Sequence, residues 1–207
     1  MKKIFFSGMG LLFLLAACTG GGSDNVKKAE DANAARIDST TKAHGGNAMA
    51  FSKSDADFLV KAANGAMMEE DLGRLAESHA TNRRVKRLGA MMVKDHAEGM
   101  QKIRQIADHR HVVLPDSLST HQEKEITDLK KKKGDSFDKA YVQMMVDDHK
   151  DDIDAFQKQA GQGSDSVTRV FASSSLQMLH RHLDSANNLV TVLGINHVSA
   201  GPGYPTH

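Results

Sequence analysis

Between residues 51 and 195, apolar side chains recur every three or four positions in four long stretches, and each stretch predicts an amphipathic helix. The first opens at Ser54, where Ser54 and Asp57 form a Ser-x-x-Asp cap. It runs to about His79 with Phe58, Ala62, Ala66, Gly73 and Ala76 in helical phase. The second extends from about Asn82 to His109 through Val85, Leu88, Met92, Ile103 and Ile106. The third opens near Asp135 and Ser136 and carries Phe137, Tyr141, Met145, Ile153 and Phe156 on one stripe to about Ala160. The fourth runs from about Asp165 to Leu193 through Val167, Phe171, Leu179, Ala186 and Leu189, and stops at Gly194, a C-cap residue.

The connections set the topology. Short links around Ala80 and at 161–164 make antiparallel hairpins of helices one and two, and of three and four. About 25 residues separate the second helix from the third. They contain Leu114-Pro115-Asp116 and a short amphipathic piece with Leu118, Ile126 and Leu129. A connection that long can climb the bundle and start the third helix parallel to the second. The expected fold is therefore all-α: a ferritin-like four-helix bundle with a long crossover carrying a short helix.

The ends of the chain follow different rules. Residues 1–17 read as a signal peptide, with Lys2 and Lys3 before an apolar run from Ile4 to Leu15 and the small residues Ala16 and Ala17. Leu15-Ala16-Ala17-Cys18 resembles the lipobox of bacterial lipoproteins, which implies cleavage before Cys18 and a diacylglyceryl group on its thiol. Acyl chains buried at ~0.8 kcal/mol per methylene would anchor the protein to a membrane. Thr19 stands where an Asp would favour inner-membrane retention, so the outer membrane, with the domain in the periplasm, is the expected address. Residues 18–50 are poor in large apolar side chains and read as a flexible tether, and 196–207 as a disordered tail.

Composition supports this division. Tryptophan is absent, there are three prolines, and aromatics make up 5% of 207 residues, so strand formers are scarce. Without Lys2 and Lys3 the chain carries 25 basic against 26 acidic side chains, which argues against nucleic acid as a partner. The one cysteine is Cys18, so an internal disulfide is excluded.

From Phe51 to about Leu193 the chain resembles a widespread family of ferritin-like bacterial envelope proteins. That family is defined as a domain of unknown function and is commonly labelled outer membrane protein. The matching residues are Met68-Glu69 with Leu72-Gly73-Arg74-Leu75-Ala76, then Met91-Met92-Val93-Lys94-Asp95-His96 and Leu114-Pro115. They continue with Phe137-Asp138-Lys139-Ala140-Tyr141 leading to His149, and His182-Leu183. The resemblance implies a ferritin-like bundle and brings no activity with it.

Three histidines fall on buried stripes: His96 after Met92, His149 between Met145 and Ile153, and His182 between Leu179 and Ala186. Glu69, in phase with Ala66 and Gly73, supplies a carboxylate from the remaining helix. The Glu-x-x-His pattern of di-iron carboxylate bundles is missing, since Val93, Val146 and Leu179 occupy the positions three before each histidine. One transition-metal ion, zinc, iron or copper, is the cofactor this ligand set suits. Met92, Met145 and Met178 each precede one of these histidines by four residues, where 11 Met and 11 His placed at random would give about half a pair. Thioether with imidazole is a soft set that suits Cu(I). The competing expectation is a polar network in which Asp95, Asp148 and Glu69 hydrogen-bond the histidines and set helix register. The acidic group Asp147, Asp148, Asp151, Asp152 and Asp154 reads as a solvated face. No hydrolase elbow, phosphate loop or dinucleotide fingerprint is present. The leading reading is a non-enzymatic envelope lipoprotein serving a partner protein or a stress role, and the alternative is a metal-binding or metal-dependent redox protein.

Overall fold

The computed structural model describes residues 24–43 and 51–195. The signal peptide, Cys18 and the tail 196–207 lie outside these residues. Six helices are seen among them: α1 (Asn25–Ala43), α2 (Lys53–His79), α3 (Arg83–Arg110), α4 (Thr120–Lys130), α5 (Gly134–Gln162) and α6 (Ser166–Val192). Side-chain caps start three of the four long helices. Ser52, not Ser54, caps α2, in a reciprocal box with Asp55, so the expected cap was two residues late. Asn82 and Asp165 cap α3 and α6 through their side-chain oxygens. His111 closes α3 in the left-handed conformation, with φ of 55°.

Helices α2, α3, α5 and α6 form the expected four-helix bundle. α2 pairs with α3 and α5 with α6, while the contacts α2–α5 and α3–α6 close the square. The core falls into two apolar halves, and their membership gives the helix directions. One half takes Leu59 and Ala63 from early α2, Ile103 and Ala107 from late α3, Phe156 from late α5, and Phe171 and Leu179 from early α6. The other takes late α2, early α3, early α5 and late α6. α3 and α5 therefore run parallel, the arrangement that the crossover through α4 permits and an up-down-up-down chain does not.

Each hairpin link is pinned by a buried carboxylate from the other hairpin. Asp138 of α5 accepts hydrogen bonds from Thr81 N (3.0 Å), Thr81 Oγ1 (2.6 Å) and Asn82 N (2.8 Å). Asp55 of α2 accepts from Gln159 Nε2 (2.7 Å), Ser164 N (3.1 Å) and Asp165 N (3.2 Å). Within a hairpin, α2 and α3 approach closely at Gly73 and Gly89. A Cβ on Gly73 would lie 2.6 Å from the Gly89 carbonyl oxygen, and one on Gly89 would lie 2.7 Å from the Gly73 oxygen.

The tether differs from expectation. Residues 25–43 of it form α1, which packs on α2. Ala29 and Asn33 are buried, with Val26 and Ile37 packed on the same core. The Asn33 amide exchanges two hydrogen bonds with the Val113 backbone, donating at 2.9 Å and accepting at 2.8 Å. Few large apolar residues suffice here because the bundle already presents an ordered surface, and a narrow stripe with one two-point polar contact docks on it.

Candidate metal centre

The two apolar halves are separated by a polar layer with one residue from each long helix. Glu69 follows Met68 on α2, His96 lies between Met92 and Met100 on α3, His149 between Val146 and Ile153 on α5, and His182 between Leu179 and Ala186 on α6. All four are buried, with 3%, 4%, 0% and 0% of their surface exposed. The close approach at Gly73 and Gly89 draws α2 and α3 together near this layer, which brings a carboxylate and an imidazole within reach of each other.

One ring nitrogen from each histidine lies within 4.8 Å of the other two. His149 Nδ1 is 2.9 Å from the Met145 carbonyl oxygen, and His182 Nε2 is 2.9 Å from Asp95 Oδ2. Both partners only accept, so each nitrogen must carry its ring's proton. In the neutral rings, His149 Nε2 and His182 Nδ1 are then both lone pairs, and they face each other at 3.1 Å. Such a pair repels unless a cation lies between. A proton could serve, but burial, reinforced by neighbouring imidazoles, pushes the His149 and His182 pKa values down to about 4. Burial likewise takes His96 to about 4, so at neutral pH all three rings are uncharged and able to ligate.

Glu69 adds the fourth group. Its Oε2 is 2.9 Å from His96 Nδ1 and its Oε1 is 3.3 Å from His149 Nδ1. Neither oxygen has an aligned hydrogen bond, and His96 Nε2 has no partner either. Burial pushes the Glu69 pKa up, with the His149 charge opposing. Asp55 shows what the fold does with a buried carboxylate meant to stay quiet: burial pushes its pKa up, but hydrogen bonds from Ser52, Gln159 and Asp165 outweigh this and hold it below the usual value. Glu69 lacks that treatment.

Of the residues singled out in the sequence, His96, His149, His182 and Glu69 converge, and Asp95 joins them through His182. Asp148 does not bond a histidine as expected. It lines a groove on the α2–α4–α5 side, its Oδ2 is buried without a hydrogen-bond partner, and burial with the Glu69 charge raises its pKa well above the usual range. Asp152, read as part of a solvated face, is turned towards the same groove, and burial next to Glu69 pushes its pKa up to about 8. Only its spacing of four from Asp148 could have flagged it. Met92 and Met145 are fully buried in the apolar half beyond His96 and His149. Met178 lines a cavity of about 20 Å³ together with Glu69, His96 and Asp152, room for about one water-sized occupant. The Oγ atoms of Ser173, Ser174 and Ser175 bond back to carbonyls of their own helix, so no nucleophile arises there.

A solved structure described as a secreted protein DUF305 from Streptomyces coelicolor shares this fold, with a TM-score of 0.59 and 12% identity, covering 68% of this chain and 94% of that one. Among curated proteins none matches. The family described as Domain of unknown function (DUF4142) matches residues 40–189, which carry all of the polar layer and most of its two flanking apolar halves, and the chain belongs to that family.

Proposed function

We propose that this is an envelope lipoprotein, held at the outer membrane through Cys18, whose bundle binds one transition-metal ion on His96, His149 and His182, with the Glu69 carboxylate beside them. The observation that carries this reading is the pair of imidazole lone pairs held face to face at 3.1 Å. Two nitrogens at that separation can both reach an ion at about 2.0–2.1 Å, the usual zinc–imidazole distance. The Met145 carbonyl and Asp95 orient the two rings from behind, as outer partners do at histidine metal sites. Three imidazoles suit Zn(II) with a fourth position open, and Met178, which lines the small cavity together with His96, offers a softer donor for Cu(I). This reverses the order in which the sequence ranks the two readings, because a self-sufficient polar network would leave no lone pairs opposed.

The test is metal content and ligand-dependent stability. Mature protein purified from the envelope carries about one equivalent of metal per chain, and its metal-free form gains melting temperature with Zn(II) or Cu(I). The gain disappears in His149→Ala and His182→Ala. Absence of stoichiometric metal, together with no thermal response to either ion, would refute the site and leave the layer as a register-fixing network for an envelope-interaction domain. Retention of the acyl label in Cys18→Ser would refute the anchor.

A further inference from the structure

The imidazole layer is sealed from solvent, so an ion needs a way in. On the α2–α4–α5 side lies a groove of about 460 Å³ whose wall carries Glu69, Glu125, Asp147, Asp148, Asp151 and Asp152. No lysine or arginine is among the residues that line it, and its one histidine, His121, stands 3.3 Å from Glu125. Acidic side chains alone are common on surfaces. Two further observations set this groove apart. Glu69 is 3% exposed with both oxygens lacking an aligned hydrogen bond, and Asp148 Oδ2 is buried without a partner. Moreover, Glu69 and Asp152 line both the groove and the internal cavity that contains His96. They stand on the partition between the two spaces.

We infer that the groove is a loading port for divalent cations. Asp148 and Asp152 take a hydrated ion from solvent and pass it by Glu69 to the imidazoles. This inference rests on the proposed imidazole site. The chemistry is ordered along the path: oxygen ligands, which bind hydrated ions readily and release them fast, precede nitrogen ligands, which hold them. A wall of one sign in a cleft also focuses the field and raises the local cation concentration, an effect worth 10- to 1,000-fold in association rate.

The experiment uses the whole mature protein, metal-free, and two probes. Co(II) reports arrival at the imidazoles through its visible absorption in stopped flow, and Mn(II) reports groove occupancy through loss of its free-ion paramagnetic resonance signal. In Asp148→Asn/Asp152→Asn, which removes two carboxyl oxygen donors while keeping side-chain shape, Co(II) association and dissociation both slow at least 10-fold and the Co(II) equilibrium constant moves less than 3-fold. Asp108→Asn/Asp154→Asn, the same substitution at exposed positions, leaves the rates within 2-fold. In His149→Ala/His182→Ala, Mn(II) is still captured while the Co(II) absorption is lost. Unchanged Co(II) rates in the groove variant, or a faster dissociation with association intact, would overturn the port and leave the imidazole site standing. Mn(II) capture without any Co(II) absorption in the unaltered protein would overturn both.

Discussion

Glu69→Gln should make the metal-free protein more stable and the metal site weaker. Glu69 is 3% exposed, and both its carboxylate oxygens lack an aligned hydrogen bond even though His96 Nδ1 and His149 Nδ1 stand 2.9 and 3.3 Å away. A buried polar group without its bonds costs about 1–3 kcal/mol, more when charged. The neutral amide of Gln keeps the shape and lowers that cost, so a gain of about 1–3 kcal/mol is expected, several degrees in melting temperature for a domain this size. The sign with pH is fixed by the raised Glu69 pKa. A carboxyl whose folded value lies above its unfolded value stabilises at low pH and loses that contribution as pH rises through the folded value, so the advantage of Gln grows with pH above the ordinary value of 4.5. In the same variant, affinity for Zn(II) or Cu(I) should fall at least ~10-fold, the scale seen when even an outer partner is removed. Urea melts of the metal-free protein at pH 6 and 8, with metal titrations beside them, give both readouts. A variant that is less stable without metal and binds metal as before would refute the reasoning, because Glu69 would then be a structural group that the fold needs charged.

Three other outcomes follow from separate contacts. Gly73→Ala places a methyl 2.6 Å from the Gly89 carbonyl and 2.9 Å from Val93 Cγ2, forcing α2 and α3 apart. A loss of about 1–3 kcal/mol in urea melts is expected, together with weaker metal binding. Asn33→Leu removes both bonds to the Val113 backbone and leaves that amide and carbonyl without those partners. Proteolysis should then cut within residues 25–43 at rates the unaltered protein resists, while the bundle's own melt changes little. For pH, the three imidazoles at about 4 lose stability as pH falls from the ordinary 6.5, whereas Asp152 at about 8 loses it as pH rises from 3.8 to 8. The two trends oppose each other below 6.5, and above it only the carboxyl trend remains. The metal-free protein should therefore lose about 1–2 kcal/mol between pH 6.5 and 8, measured by urea melts, and Asp152→Asn should flatten that slope.

The sequence alone determined the four long helices and the topology. Their apolar periods are long and uninterrupted, and a 25-residue crossover leaves little choice about how the second hairpin joins the first. It also determined that His96, His149, His182 and Glu69 point inward, since helical phase depends only on local spacing. Tertiary structure decided what periodicity cannot encode. That the four residues share one layer depends on the axial offset between helices, set here by Gly73 against Gly89 and by Asp55 and Asp138 gripping the opposite links. That Asp148 and Asp152 face a groove depends on α4 lying across α2 and α5, which turns a polar face into a cleft. That residues 25–43 fold at all depends on a surface supplied by the rest of the chain, because a helix so poor in large apolar side chains orders only against a partner already in place.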